Sequence, residues 1–405
     1  MSVPASARLV LSPHGANRLR GGHPWIYRDD VTRLDGSWEP DEAVTVVDGA
    51  GHALGRGFYN ARPRIACRIL SREDEPIDRA FFERRITEAW RYRQGLGHDG
   101  DAARVVAGEG DRLPGLVVDR YADVAVLQPL TLGMERHVAL LAALTAEITS
   151  VRAVYRRVDP TAARLEGLEG TGGWLLDERP APGGASDPVT DVEIREGRCR
   201  FHVAVASGQK TGFYLDQREN RSAVAHVAGG REVLDAFAYT GAFGCQALAA
   251  GAAHVLALDA SADAVAAARR HSAENGVADR FEAQEANVFD ALRDLERAGR
   301  RFDLIVLDPP PFTRRRTAVE SALRGYKEIN LRGLRCLRPG GLLATFSCSH
   351  HVGPALFEEV CRSAAEDVGR PVRVRALFGQ AADHPVLLVV PETRYLTGLL
   401  LEVLE

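Results

Sequence analysis

The stretch Glu232–Gly244, EVLDAFAYTGAFG, decides how this chain folds. Val233 and Leu234 lead into Asp235, and two glycines, Gly241 and Gly244, follow where a helix should begin. Glycine there lets the backbone come close to a ligand at the positive end of a helix. An ordinary strand-to-helix turn has the same outline, so the surroundings must decide. They repeat the pattern. AAHVLALDA reads as a strand and SADAVAAARRHSAENG as a helix; FEAQEANV is followed by another helix. FDLIVLDPPPF is a strand ending in a loop, ESALRGYKEINLRGLRCL a helix, GGLLATFSCS a strand and GPALFEEVCRSAAEDV a helix. PVLLVVPETRYLTGLLLEVL reads as a closing hairpin. Such alternation predicts an α/β fold, a doubly wound and largely parallel sheet with helices on both faces.

Two smaller regions precede it. Residues 1–73 carry short alternating runs and glycine turns, as in AVTVVDGAGHALGRGFYN, and predict a compact β-barrel. The charged joint SREDEPID ends it. Residues 74–190 mix a helix, RAFFERRITEAWRYRQGL, with a hairpin, RLPGLVVDRYADVAVLQPL, and predict a central α+β domain. The Pro- and Gly-rich DERPAPGGASDP leads into the third domain, 191–405.

With 405 residues, 45% hydrophobic and 26% charged, the chain is long enough for several cored domains. No run approaches the roughly 18 apolar residues of a membrane helix, so no membrane partner is expected. Six cysteines without CxxC spacing fit reduced thiols and a cytoplasmic location, with no metal site and no disulfide framework. A net charge of −4 leaves nucleic-acid binding to local patches. Only two of the 51 basic residues are lysines, Lys210 and Lys327. A compact ammonium on a flexible stem is kept at those two places, by chance or by need.

Ligands of open α/β sheets bind at the carboxyl ends of the strands. Asp235 ends the first strand. Asp259 ends the second and can accept both hydroxyls of a ribose, since Ser261 is available to cap the next helix. Asn287 follows the third strand, placed for an adenine edge, with Val288 and Phe289 as apolar neighbours. SGQKTGFYLDQRENR, residues 207–221, is dense in polar groups yet carries Phe213, Tyr214 and Leu215. The G-x-G-x-x-G spacing of nicotinamide enzymes is missing, which argues against a dehydrogenase.

LDPPPF, residues 307–312, ends the fourth strand. Its prolines stiffen the loop and leave carbonyls without competing N–H donors, so Asp308, Pro309, Pro310 and Phe312 can hold a planar base. TFSCSHH ends the fifth strand and puts Cys348 on the same rim. A zinc ligand, a disulfide half, an inert buried thiol and a nucleophile are the four possibilities for it. A nucleophilic thiolate there suits one reaction in particular, methylation of cytosine C5, where a thiol must first add to C6.

The chain resembles the large-subunit ribosomal RNA (cytosine-5) methyltransferase family, within the class I S-adenosylmethionine-dependent enzymes. GQKTGFYLDQREN, DAFAYTGAFG, LDPPPF, RGYKEIN and SCSHH carry the resemblance. HPWIYRDDV with GRGFYN looks like that family's N-terminal PUA-type barrel, and DRLPGLVVDRY like its central domain. The resemblance implies a Rossmann-like sheet and S-adenosyl-L-methionine as cofactor. Its binding residues would be Gln209, Lys210, Thr211, Phe213, Tyr214, Asp216, Arg218, Asp235, Phe237, Tyr239, Thr240, Gly241, Asp259, Ala260, Ser261, Asn287, Val288 and Asp308. Cys348 would be the nucleophile and Asp308 would orient the cytosine at N3. Most other RNA cytosine-5 methyltransferases carry a second cysteine after the fourth strand; here Pro310 and Pro311 stand there, and the base that removes the C5 proton is unassigned.

Large-subunit ribosomal RNA, free or in a precursor particle, is the expected partner, and a homodimer the assembly to test. Arg314 and Arg315 beside the active loop, Lys327, and Arg62 and Arg64 on the barrel are the candidate phosphate contacts, with Arg68 beside them; a solvated surface is the plain alternative for each. A guanine-nitrogen methyltransferase with a structural Cys348, and a non-catalytic RNA-binding assembly protein, are the competing functions.

Overall fold

The computed structural model describes residues 7–97, 100–179, 190–313 and 316–404. It divides into two compact units. The first comprises Met1–Ile194, Val203–Leu215 and Ala382–Thr393; the second comprises Arg195–His202, Asp216–Ala381 and Arg394–Glu405. Among the described residues no helix is long and apolar enough to cross a membrane.

The first unit holds two sheets. Six strands, in the order Trp25–Tyr27, Ile65–Ser71, Ala53–Tyr59, Ala43–Val47, Arg8–Leu11 and Val31–Asp35, form the N-terminal one. Alternation puts Leu9, Leu11, Val44, Val46, Cys67 and Ile69 into one core, closed by Ala16 and Leu19 of the short helix Pro13–Arg20. The second sheet runs Gly173–Asp177, Ala153–Arg156, Val124–Pro129, Leu116–Tyr121, Ala102–Ala107, backed by helices Arg79–Gly95 and Val138–Thr149. Its core includes Ala43, Phe58 and Leu70 from the N-terminal sheet, so the two share packing. Glu166, almost fully buried, ties them further: it accepts from Arg68 Nη1 at 2.9 Å and Asn60 Nδ2 at 2.8 Å. Arg68, a candidate for phosphate, is thus committed to a carboxylate.

Residues 203–215 and 382–393, placed by the sequence pattern in the C-terminal domain, group with the first unit. Thr211 shows why. Its hydroxyl donates to Asp119 Oδ2 and lies 2.9 Å from Tyr121 Oη, all three buried. Asp383 is held likewise, its carboxylate accepting from the Arg104 amide at 3.0 Å.

The second unit is built on a seven-stranded sheet. Its strands are β1 (Glu232–Ala236), β2 (His254–Asp259), β3 (Phe281–Glu285), β4 (Phe302–Leu307), β5 (Leu337–Ser347), β6 (Val372–Gly379) and β7 (Thr397–Val403). The order is β3-β2-β1-β4-β5-β7-β6, parallel except for β7, which runs antiparallel to β5 and β6. Helices α1 (Arg218–His226), α2 (Ala242–Ala249), α3 (Ala262–Glu274), α4 (Val288–Arg297), α5 (Val319–Arg335) and α6 (Pro354–Val368) flank it. This is the doubly wound α/β sheet that the alternation predicts. One expectation fails. The closing hairpin pairs VRVRALFG with TGLLLEV, and PVLLVV is not a strand of the sheet. Pro385 and Pro391 bracket that segment, and only an isolated bridge, Leu387 to Val390, forms in it.

Candidate active site

The strand order reverses between β1 and β4, where α/β sheets open a crevice at their carboxyl ends. Register pairs Ala236 with Leu258 and with Leu307, and Leu307 with Thr345. Asp235, Asp259, Asp308 and Cys348 therefore stand on one rim, on strands roughly 4.8 Å apart.

Asp235 is 1% exposed. Its Oδ2 accepts the Gly244 amide at 2.9 Å, while Oδ1 has no partner. Burial pushes its carboxyl up to about 7, the Gly244 hydrogen bond opposes this, and Asp308 and Asp259 add repulsion. Asp259 accepts the Tyr239 amide at 2.8 Å and the Ser261 amide at 2.9 Å, and Ser261 caps α3 by accepting from Ala264. The carboxylate thus clasps the loop after β1. That loop is strained: Phe237 and Tyr239 both have positive φ, 64° and 48°. His271 supports it from below, its Nδ1 2.9 Å from Thr240 O and its Nε2 accepting the His202 amide.

The glycines also set how closely the elements around the rim pack. A Cβ on Gly244 would sit 2.8 Å from Phe281 and Val255, and one on Gly241 2.9 Å from Ala268. They let the start of α2 lie close on β2, β3 and α3, which brings the helix N-terminus to the rim.

S-adenosylmethionine fits this rim on two observations. An unpartnered, buried carboxylate oxygen and two neighbouring carboxylates call for a cation, and the cofactor carries a sulfonium and an ammonium. The residues that would hold it are Asp235, the loop Phe237–Gly241 and Asp259.

Asp308 accepts from Gln217 Nε2 at 2.9 Å, and its amide donates to Ala236 O. Cys348 follows β5 directly, and its Sγ donates to Pro309 O at 3.7 Å. The thiol is thus held against the loop bearing Asp308. Of the six cysteines Cys348 alone is half-exposed; Cys67, Cys199, Cys245, Cys336 and Cys361 are buried. Burial pushes the Cys361 thiol up to about 12 and that of Cys336 to about 11, which keeps them protonated and inert. His350 and His351 are exposed, with ring centroids 5.4 Å apart. Among the described residues no group of three or more His, Cys, Asp or Glu side chains gathers as a metal site would require.

The other candidates fall in several places. Val288 is buried at the start of α4, and Asn287 caps that helix, its Oδ1 accepting the Phe289 amide at 3.0 Å. Ala260 is exposed beside Asp259. Asp216 and Arg218 are buried in the second unit, where Asp216 Oδ2 accepts from Tyr395 Oη at 2.8 Å. Gln209, Lys210, Thr211, Phe213 and Tyr214 belong to the first unit. There the Lys210 ammonium lies 4.3 Å from the centre of the Tyr214 ring, and Tyr214 Oη donates to Gln209.

Of the RNA candidates, Pro309 is buried and Pro310 exposed. Phe312 is half-buried against Phe289 and Tyr326. Lys327 pairs with Asp367 at 2.8 Å. In the connection between strands Ala53–Tyr59 and Ile65–Ser71, Arg62 and Arg64 are exposed, the latter 5.5 Å from the Tyr27 ring centre. Arg314 and Arg315 lie outside the described residues.

Sequence reasoning missed Gln217, Asn220 and Tyr326. The first two lie inside a quoted motif, three residues apart at a helix start, a spacing that puts them side by side.

Two family models match the chain. Residues 9–72 match a PUA-like domain, and residues 179–369 an S-adenosylmethionine-dependent methyltransferase. The chain is 40% identical to the ribosomal RNA large subunit methyltransferase I of Alteromonas mediterranea, over 99% of this chain and 100% of that one. Its counterpart in Erwinia tasmaniensis is 38% identical over 97% and 98%. A candidate methyltransferase solved as its complex with SAH shares the fold, with a TM-score of 0.83, 19% identity and coverage of 98% and 100%.

Proposed function

Because this chain belongs to the ribosomal RNA large subunit methyltransferase I family, we propose that it methylates C5 of a cytosine in large-subunit ribosomal RNA through a covalent bond from Cys348 to C6. The observation that carries this reading is the half-exposed Cys348 at the end of β5, hydrogen-bonded to the loop that presents Asp308. S-adenosylmethionine supplies an electrophilic methyl group when bound.

The chemistry of C5 sets what the protein must do. Cytosine C5 is too weak a nucleophile on its own. The thiolate of Cys348 forms a bond to C6, and the former C5–C6 π pair makes C5 enamine-like. C5 then takes the methyl carbon as its bond to sulfur breaks. Loss of the C5 proton returns an electron pair to the ring, re-forms the double bond and expels Sγ. Asp308, oriented by Gln217, accepts from the amino group beside N3 of the base and holds C6 over the thiol. The target base must leave its stack to reach the rim, and Arg62 and Arg64 of the PUA-like domain hold flanking phosphates. In the same reading the domains are 1–73, 74–190 and 191–405, the enzyme acts in the cytoplasm, and sedimentation decides whether it is a homodimer.

The test is direct. Unmodified large-subunit ribosomal RNA is incubated with S-adenosylmethionine and either wild type or Cys348→Ala, then digested to nucleosides. 5-Methylcytidine is expected from the wild type alone. A methylated guanosine that survives the substitution would overturn the C5 reading.

A further inference from the structure

Tyr326 is buried in α5 and takes no part in the steps above, yet it touches both halves of the reacting site. Its hydroxyl lies 2.8 Å from Ser349 Oγ. Ser347 Oγ in turn accepts the Ser349 amide at 3.3 Å. The two residues that flank Cys348 are thus tied to each other and, through Ser349, to one phenol, and all three residues are buried. The other end of the connection is the ring. It packs against Phe312, the last residue of LDPPPF, with centroids 4.5 Å apart.

The helix gives way to make that contact. Gly325 stands in the middle of α5, where glycine costs about 1 kcal/mol against alanine. A Cβ there would lie 3.1 Å from the Phe312 ring. Phe312 continues to Phe289 at 5.6 Å, and Phe289 to Phe237 at 6.2 Å, in the loop after β1. An unbroken file of aromatic rings therefore runs from the proposed cofactor loop to the phenol under the cysteine turn.

We propose that Tyr326 is a positioning residue for the reaction: its hydroxyl fixes the Ser347–Ser349 turn and its ring fixes the Asp308–Phe312 loop, so that Cys348 and Asp308 meet the base as one rigid pair. The assignment rests on the C5 reading. Burial also holds the phenol above its ordinary pKa, so it stays a neutral hydroxyl and serves the serines rather than the base. Addition of the thiol to C6 demands alignment within a few tenths of an ångström, which a turn held by one hydrogen bond fewer does not keep.

The experiment uses large-subunit ribosomal RNA transcribed with 5-fluorocytidine in place of cytidine. After thiol addition and methyl transfer, C5 carries fluorine where a proton should leave, so the enzyme–RNA adduct persists and its rate of formation is read on a denaturing gel. Tyr326→Phe is expected to form the adduct about ten-fold more slowly, with affinity for S-adenosylmethionine unchanged, so that the loss falls on alignment of the thiol and not on cofactor binding. Ser349→Ala should lose the same factor, and the double variant should be no slower than either single one. Adduct formation at the wild-type rate in Tyr326→Phe overturns the proposal. So does a loss matched by a parallel loss of cofactor affinity and stability, which would make Tyr326 a plain core residue. A wild type that methylates ordinary RNA but forms no adduct on the fluorinated one overturns the C5 reading itself.

Discussion

Gln217 donates to Asp308 across 91 residues of sequence, Nε2 to Oδ1 at 2.9 Å. Its own Oε1 accepts from Asn220 Nδ2 at 2.6 Å, and Asn220 is anchored on Gly379 O. The relay fixes which way the Gln217 amide points, and with it the face of Asp308. Gln217→Ala should lower kcat/KM for RNA by roughly ten- to a hundred-fold, the 1.5–3 kcal/mol typical of a hydrogen bond to a charged group. Gln217→Glu should do worse, because it sets a second carboxylate against the first. Steady-state kinetics with near-normal cofactor affinity are the check.

Asp235 predicts a pH dependence. Its carboxyl is raised from 3.8 to about 7, chiefly by burial. A raised acid favours the folded state below its unfolded pKa, and that advantage is lost as pH rises toward the folded value. The ligand-free protein should therefore lose stability between about pH 4 and 7 relative to Asp235→Asn. A cationic cofactor favours the ionised carboxylate, so affinity should rise with pH up to about 7 and proton release should accompany binding. Calorimetry in two buffers of different ionisation heat measures both, and Asp235→Asn should flatten the profile.

His271 makes the opposite demand. Burial lowers its pKa from 6.5, and its Nε2 must stay unprotonated to accept the His202 amide. Its contribution to stability is present above the unfolded value and lost as pH falls toward the depressed folded one. His271→Ala leaves the part-buried His202 amide and the buried Thr240 carbonyl without their partner, at about 1–3 kcal/mol for the carbonyl. Cofactor affinity should fall with stability, since the Thr240 loop loses its support; thermal melts and calorimetry on one preparation show whether they fall together.

Glu166 belongs to the first unit alone. Glu166→Ala removes the partner of Arg68 and leaves a guanidinium, 19% exposed, uncompensated. The expected cost is about 3–5 kcal/mol, read from urea unfolding. Affinity for S-adenosylmethionine should not change.

The residues that chemistry requires at strand ends were legible because alternation places them: Asp235, Asp259, Asp308 and Cys348 each follow an apolar run, and each stands on the rim. Side chains that act through others left weaker traces. Tyr326 looks like any apolar residue of a helix, and its hydroxyl partners lie more than a helix away. Thr211 reads as part of a ligand loop, and nothing local reveals Asp119, 92 residues earlier. Lys327 looks like a spare cation until α6 brings Asp367 beside it. PVLLVV misled because its apolar residues fit a strand, while the prolines at either end deny it a place in the ladder.

Neither compact unit is a continuous piece of chain, and this has a consequence for synthesis. The first unit lacks residues 382–393 until almost everything before them has been made. The second waits even longer, because β7, residues Thr397–Val403, is inserted between β5 and β6 rather than added at an edge. A ribosome delivering this protein releases two unfinished bodies that reach completion nearly together. The usual domain-by-domain maturation of a growing chain is closed to it.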